Sequence, residues 1–255
     1  MTSFAPAVRN HRRTALALVL CGGLTVALAA CGTEEDPDKG TNGVARLSAA
    51  EIDKKARAAA DAASAVRLSG TLVSKGGTYR LDMKLNAEGG MGSVTSKKQS
   101  FALLRVEDDL FLKAPAEFWT HEGSGDENGT ADAAAADKLG GKYVKIPEDD
   151  PSYGQLRGFT DKEVLLDGLL ALHGTLDKGG RDTVAGQRTI RILGGKGEGG
   201  AFDVSLENQP YPVRVARGGG GGTVSLADWG QAFPLEAPDK DDTVDYGGQL
   251  PKSSG

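Results

Sequence analysis

Thr78-Tyr79-Arg80-Leu81-Asp82-Met83-Lys84-Leu85-Asn86 alternates without a break, with Tyr79, Leu81, Met83 and Leu85 on one side and charged or polar residues on the other. A period of two marks a strand with one dry and one wet face, as in an antiparallel sheet packed on one side. The same alternation predicts strands over 67–74, 99–106, 110–113, 142–146, 183–193, 201–207, 211–217 and 223–226. Glu107-Asp108-Asp109, Asn208-Gln209-Pro210 and the glycine runs at 194–200 and 218–222 are turn material. They are far shorter than the crossover of about a dozen residues that parallel strands need.

Two helices are expected among these strands. Ser48 and Glu51 have capping-box spacing, with Leu47 and Ile52 as the hydrophobic staple. The run Ala49 to Val66 then places Ile52, Ala56, Ala59, Ala63 and Val66 on one stripe. Thr160 and Glu163 repeat the box, with Phe159 and Val164 as the staple and His173-Gly174 as the stop. Val164, Leu165, Leu166, Leu169, Leu170, Ala171 and Leu172 go round more than half of this second helix. The expected fold is α+β: a single large curved antiparallel β-sheet, a half-barrel, with two helices covering its concave face.

Two helices, one built largely of alanine, are little cover for the apolar face of some eight to ten strands. Either the sheet collapses onto an ordinary core or an apolar cavity remains. A cavity would be lined by Tyr79, Leu81, Met83, Leu85, Phe101, Leu103, Val144, Ile146, Ile190, Ile192, Phe202 and Val204, with Leu165 and Leu169 opposite. The adjacent Leu103 and Leu104 leave the phase of that strand open. The 114–141 insertion carries Phe118-Trp119 and then a polar, glycine-bearing loop. It is a lid over the cavity mouth or a surface insertion anchored by its aromatics.

The amino-terminal segment indicates where the protein works. Arg9, Arg12 and Arg13 precede an uncharged run from Thr14 that ends in Leu28-Ala29-Ala30-Cys31. A basic stretch, an apolar stretch and small residues before a cut are the layout of a secretory leader. A single membrane-spanning helix is disfavoured, because Gly22, Gly23 and Thr25 weaken it and Ala29-Ala30-Cys31-Gly32 suits processing better than membrane exit. Export by the general route and by a twin-arginine route (Arg12-Arg13) both stay open. Of the two cysteines, Cys21 falls in the leader and Cys31 at its end, so no disulfide is expected. Without the leader, 27 basic residues face 35 acidic ones, a net of −8 that does not invite nucleic acid. The expected divisions are leader 1–30, tether 31–45, domain 46–235 and an acidic, polar tail 236–255.

Hydrophobic, small, small, Cys resembles the lipobox of bacterial lipoproteins, which implies a diacylglycerol on Cys31 and anchoring at the outer face of the cytoplasmic membrane. The layout over roughly residues 46–230 resembles the LolA/LolB-like lipoprotein carriers and the actinobacterial LppX/LprG lipoproteins. That resemblance rests on the Ala-rich first helix ending in Ala65-Val66-Arg67-Leu68-Ser69-Gly70, on Tyr143-Val144-Lys145, on the Phe159-to-Leu172 helix and on a strand start at Val184-Ala185-Gly186. It implies a carrier for a lipid or lipid-modified molecule, with the membrane as a partner and a membrane transporter or another lipoprotein as the candidate protein partner. A sensor or scaffold lipoprotein that uses the same fold as a protein-binding surface is the alternative.

Catalytic chemistry, cofactors and metals are not expected. His121 and His173, the histidines after the leader, lack neighbours at metal-ligand spacing. Gly195-Lys196-Gly197-Glu198-Gly199-Gly200 has the letters of a dinucleotide fingerprint but lies between two strands. No G-x-S-x-G elbow occurs.

Overall fold

In the computed structural model, residues 36–74, 77–96, 99–119 and 136–245 are described. Cys31 and the leader lie outside them, as does 120–135, the middle of the 114–141 insertion. The unit that begins at Asp38 contains one twelve-stranded sheet. Its strands are β1 (Ala65–Ser74), β2 (Gly77–Asn86), β3 (Gly89–Ser96), β4 (Gln99–Val106), β5 (Asp109–Lys113), β6 (Tyr143–Ile146), β7 (Leu176–Val184), β8 (Gln187–Gly194), β9 (Ala201–Ser205), β10 (Pro212–Ala216), β11 (Gly222–Ala227) and β12 (Thr243–Asp245). They lie in the order β12-β6-β5-β4-β3-β2-β1-β11-β10-β9-β8-β7, open at both edges. The helices are α1 (Ala49–Ala62), α2 (Ala116–Trp119), α3 (136–139), α4 (Tyr153–Gly158) and α5 (Lys162–Leu170).

The α+β curved sheet expected from the sequence is present, with corrections. It is mixed, because β12 runs parallel to β6 at one edge while every other pair is antiparallel. Strand β3, GGMGSVTS, was hidden from an apolar alternation because it has almost no large side chains. It forms because β2 and β4 satisfy its backbone from both sides. The strand expected over 183–193 is two strands. Ala185 (φ 49°) and Gly186 (φ 81°) make a tight left-handed turn between β7 and β8. The Val184-Ala185-Gly186 strand start is therefore a hairpin. Residues 243–245, assigned to a tail, form β12, and Val44 and Ala45, assigned to a tether, are buried in the core.

Helix α1 begins as expected. Ser48 Oγ accepts from the Glu51 backbone amide and the Glu51 carboxylate accepts from the Ser48 amide. The helix stops at Ala62, so Val66 belongs to β1, and the buried stripe is Ile52, Ala56, Ala60, with Ala59 only half-buried. Hydrogen bonds from Ser48 hold the Glu51 carboxyl below its ordinary pKa. A carboxylate so depressed stabilises the fold above its unfolded pKa and loses that contribution as pH falls through the folded value. Ser48→Ala is expected to cost about 1 kcal/mol and to weaken this acid-side dependence, since the backbone amide at 48 still reaches the carboxylate; urea unfolding at pH 7 and at pH 3 checks both.

The second box is displaced by one residue. Asp161, not Thr160, caps α5, its Oδ1 accepting from the Val164 amide at 3.1 Å. Thr160 is instead fully buried, and Val164 faces solvent. The helix ends at Leu170, before the expected His173-Gly174 stop, because the His173 amide donates to Gly199 O and takes the chain out of the helix.

Strong curvature needs places where backbone approaches backbone. At Gly70 (φ 154°) a Cβ would lie 2.2 Å from Thr223 O of the neighbouring β11, so only glycine fits that bend.

Candidate functional site

The twelve strand residues named as candidate lining meet on the inner face of the sheet in one apolar cluster with Leu165 and Leu169 of α5 and with α1. Register explains how. Leu81 lies opposite Val94 and Val94 opposite Phe101, while Ile190 lies opposite Val204, Ile192 opposite Phe202, Leu112 opposite Val144 and Leu110 opposite Ile146. The strand-phase ambiguity resolves with Leu103 inward. Leu104 lies outward, paired with Phe111, and neither belongs to the inner cluster. Leu68, Val94, Leu110, Leu112, Val215, Val224 and Leu226 share the inner face and carried the same period-two signal.

As it stands this face is closed. A cavity wide enough for an acyl chain gives its lining side chains accessible area. Leu81, Met83, Leu85, Leu103, Val144, Ile146, Leu169, Ile190, Ile192, Phe202 and Val204 are each at most 3% exposed. Tyr79, Phe101 and Leu165 are partly buried against them. Tyr79 packs on Phe159 (5.7 Å between centroids), and Phe101 on Phe118 and Phe118 on Trp119 at 5.5 and 5.2 Å. The insertion's aromatics thus anchor its stem. Two recesses of about 430 and 390 Å³ involve the other side of the sheet, the first lined by Ser69, Arg80, Asp82, Ser93 and Thr95 and the second by Ser93, Ala102 and Lys113 among others.

The cover is held by polar ties that the sequence did not reveal. Lys162 Nζ, buried at the start of α5, donates to Asp61 O (3.0 Å) and Ala63 O (2.7 Å) at the carboxyl end of α1, where a cation suits the helix dipole. Reciprocally, Arg57 of α1 bonds Leu170 O at the end of α5 and pairs with Asp53. Arg105, 5% exposed, donates from Nε to Thr160 Oγ1 (3.1 Å) and from Nη2 to Thr160 O (2.9 Å). Its Nη1 reaches Glu107 O (2.5 Å) and Glu88 O (3.4 Å). Burial pushes the Arg105 pKa down, against nearby Asp161. Tyr153 OH donates to Asp108 O at 2.8 Å, and burial raises its phenol pKa.

Among the described residues no three of His, Cys, Asp or Glu cluster as metal ligands, and no helix is long and apolar enough to cross a membrane. The glycine run at 195–200 connects β8 to β9 and precedes no α-helix, so it lacks the setting of a nucleotide fingerprint.

No protein family and no curated protein matches the chain. Among solved structures it is similar to LprF from Mycobacterium bovis. The two are 13% identical, the match covers 74% of this chain and 96% of that one, and the TM-score is 0.47. It is also similar to the Mycobacterium tuberculosis lipoprotein LppX, at 12% identity, 74% and 98% coverage and a TM-score of 0.44. An uncharacterized conserved protein from Thermus thermophilus follows at 10% identity, 77% and 98% coverage and a TM-score of 0.34.

Proposed function

We propose that the protein is exported and lipid-anchored through Cys31, and that it takes up a lipid or lipid-modified molecule between the sheet and the α1–α5 cover. The observation that carries this is the thinness of the cover. An apolar face spread over most of twelve strands is roofed chiefly by a 14-residue and a 9-residue helix joined through Lys162 and Arg57. Lifting α5 exposes Leu166, Leu169 and Leu170, at roughly 1.5–3 kcal/mol each. Measured from water, a bound acyl chain of some sixteen carbons gains about 0.8 kcal/mol per methylene, which exceeds the cost of exposing those leucines. The ligand would replace the α5 leucines against Leu81, Met83, Phe202 and Val204.

The closed inner face favours a second reading, a scaffold or sensor lipoprotein with an ordinary core. Native mass spectrometry of residues 36–255, purified from an exporting and a heterologous host, separates the two. Adducts that organic solvent removes and that prove to be lipid are expected. A clean apo mass that takes up no added phospholipid or glycolipid would leave the scaffold reading.

A further inference from the structure

The chain between Asp38 and Arg46 is strapped onto one end of the sheet. The Asn42 amide donates to Leu206 O, and its side chain reaches Ser205 O and Asn208 O. Arg188 holds Lys39 O and Gly40 O, and Asp38 pairs with both Arg46 and Arg181. This moves the start of the fold from the expected residue 46 back to Asp38. Only six residues, Gly32 to Pro37, then separate Cys31 from Asp38, which Arg181 of β7 holds four residues before Asn42 meets the β9–β10 turn. Even fully extended they span no more than about 25 Å.

The same turn carries Tyr211, whose ring stacks on Trp229 at 4.9 Å with an interplanar angle of 5°. Trp229 Nε1 donates to Pro212 O, and Gly230 N donates to Ala65 O, so this aromatic pair is held rigidly where β1 starts and β11 ends. Both rings are only partly buried. Tyr and Trp with one face apolar and one polar edge suit the headgroup level of a bilayer. Glu207 pairs with Arg188 and Asp228 lies near Arg67, so the charges beside the rings balance and give no net pull toward anionic lipid.

We infer that the β9–β10 end of the sheet, with the Tyr211–Trp229 pair, is a membrane-seating surface that rests on the uncharged headgroup layer. The inference rests on the reading of Cys31 as the lipid anchor. β8, eight residues long, puts the opposite end, at Glu198, roughly 25 Å farther from the bilayer.

The test uses the full mature chain with Cys31 acylated, reconstituted in phosphatidylcholine vesicles that carry either brominated acyl chains or headgroup nitroxides. Trp119→Phe leaves Trp229 as the single tryptophan, and Trp229→Phe leaves the buried Trp119 as control. With Cys31 acylated, Gln209→Cys and Glu198→Cys each give one labelling site, at the near and far ends. Quenching of Trp229 and of the Gln209→Cys label is expected, with Trp119 and the Glu198→Cys label unaffected and no change on adding salt. An acylated, vesicle-bound protein whose Trp229 and near-end label stay bright would overturn the seating surface while leaving the anchor intact. A Cys31 that mass spectrometry finds unacylated, on protein that does not float with vesicles, would overturn both.

Discussion

Replacing Asp203 by alanine is expected to lower the unfolding free energy by about 3 kcal/mol. Asp203 is 1% exposed on the outer side of β9, opposite the apolar core. Its Oδ1 and Oδ2 accept from Arg191 at 2.9 and 3.0 Å, and Oδ2 also accepts from Arg214 at 2.7 Å. Three strands are stitched by one carboxylate, and the bidentate geometry makes these charge-assisted bonds strong. Both arginines are about a third exposed and can turn to water once the carboxylate is gone. That places the loss at the lower end of the range for breaking a buried pair. Asp203→Asn keeps the shape and is expected to lose less. Urea unfolding checks both: the midpoint should fall with the slope unchanged.

Arg105→Met is expected to cost about 2–4 kcal/mol, because a buried acceptor left without a donor costs roughly 1–3 kcal/mol. Two of its four acceptors belong to Thr160, which has no access to water; Oγ1 keeps its own bond, donating to Arg157 O, so the carbonyl carries most of the loss. Glu88 and Glu107 are exposed, so their carbonyls can find solvent. The loss should therefore be local, loosening Tyr153–Leu170 where it is pinned to the sheet. Hydrogen exchange is expected to speed up across α4 and α5 while β8–β11 stay protected. If α5 is the gate for a lipid, the same variant should load added lipid faster than the wild-type chain. Equal protection across α4 and α5 in the two proteins would show that Thr160 does not hold the cover.

Much of the candidate site was legible because inward and outward positions on a strand are a local matter. Tyr79 to Leu85, Ile190 with Ile192, and Phe202 with Val204 needed only the period of two. Legibility failed where backbone rather than side chains made the element. Strand β3 and the β7–β8 turn consist mostly of glycine and small residues whose pairing is supplied by neighbours. Arg105 and Lys162 were unremarkable charges in the sequence, and their burial depends on carbonyls 55 and 99 residues away that only folding brings near.

The sequence by itself determined the class of the fold, the dry face of most strands and the start of α1. Each of these is decided within a few residues, by alternation or by a side chain reaching its own helix amides. Only the tertiary structure decided that β1 lies beside β11, that β12 closes against β6, that the inner face is filled, and that the chain is tied down from Asp38. Those outcomes depend on which distant strand offers matching hydrogen bonds and on whether side-chain volumes fill the space between layers. No short stretch of chain encodes such quantities.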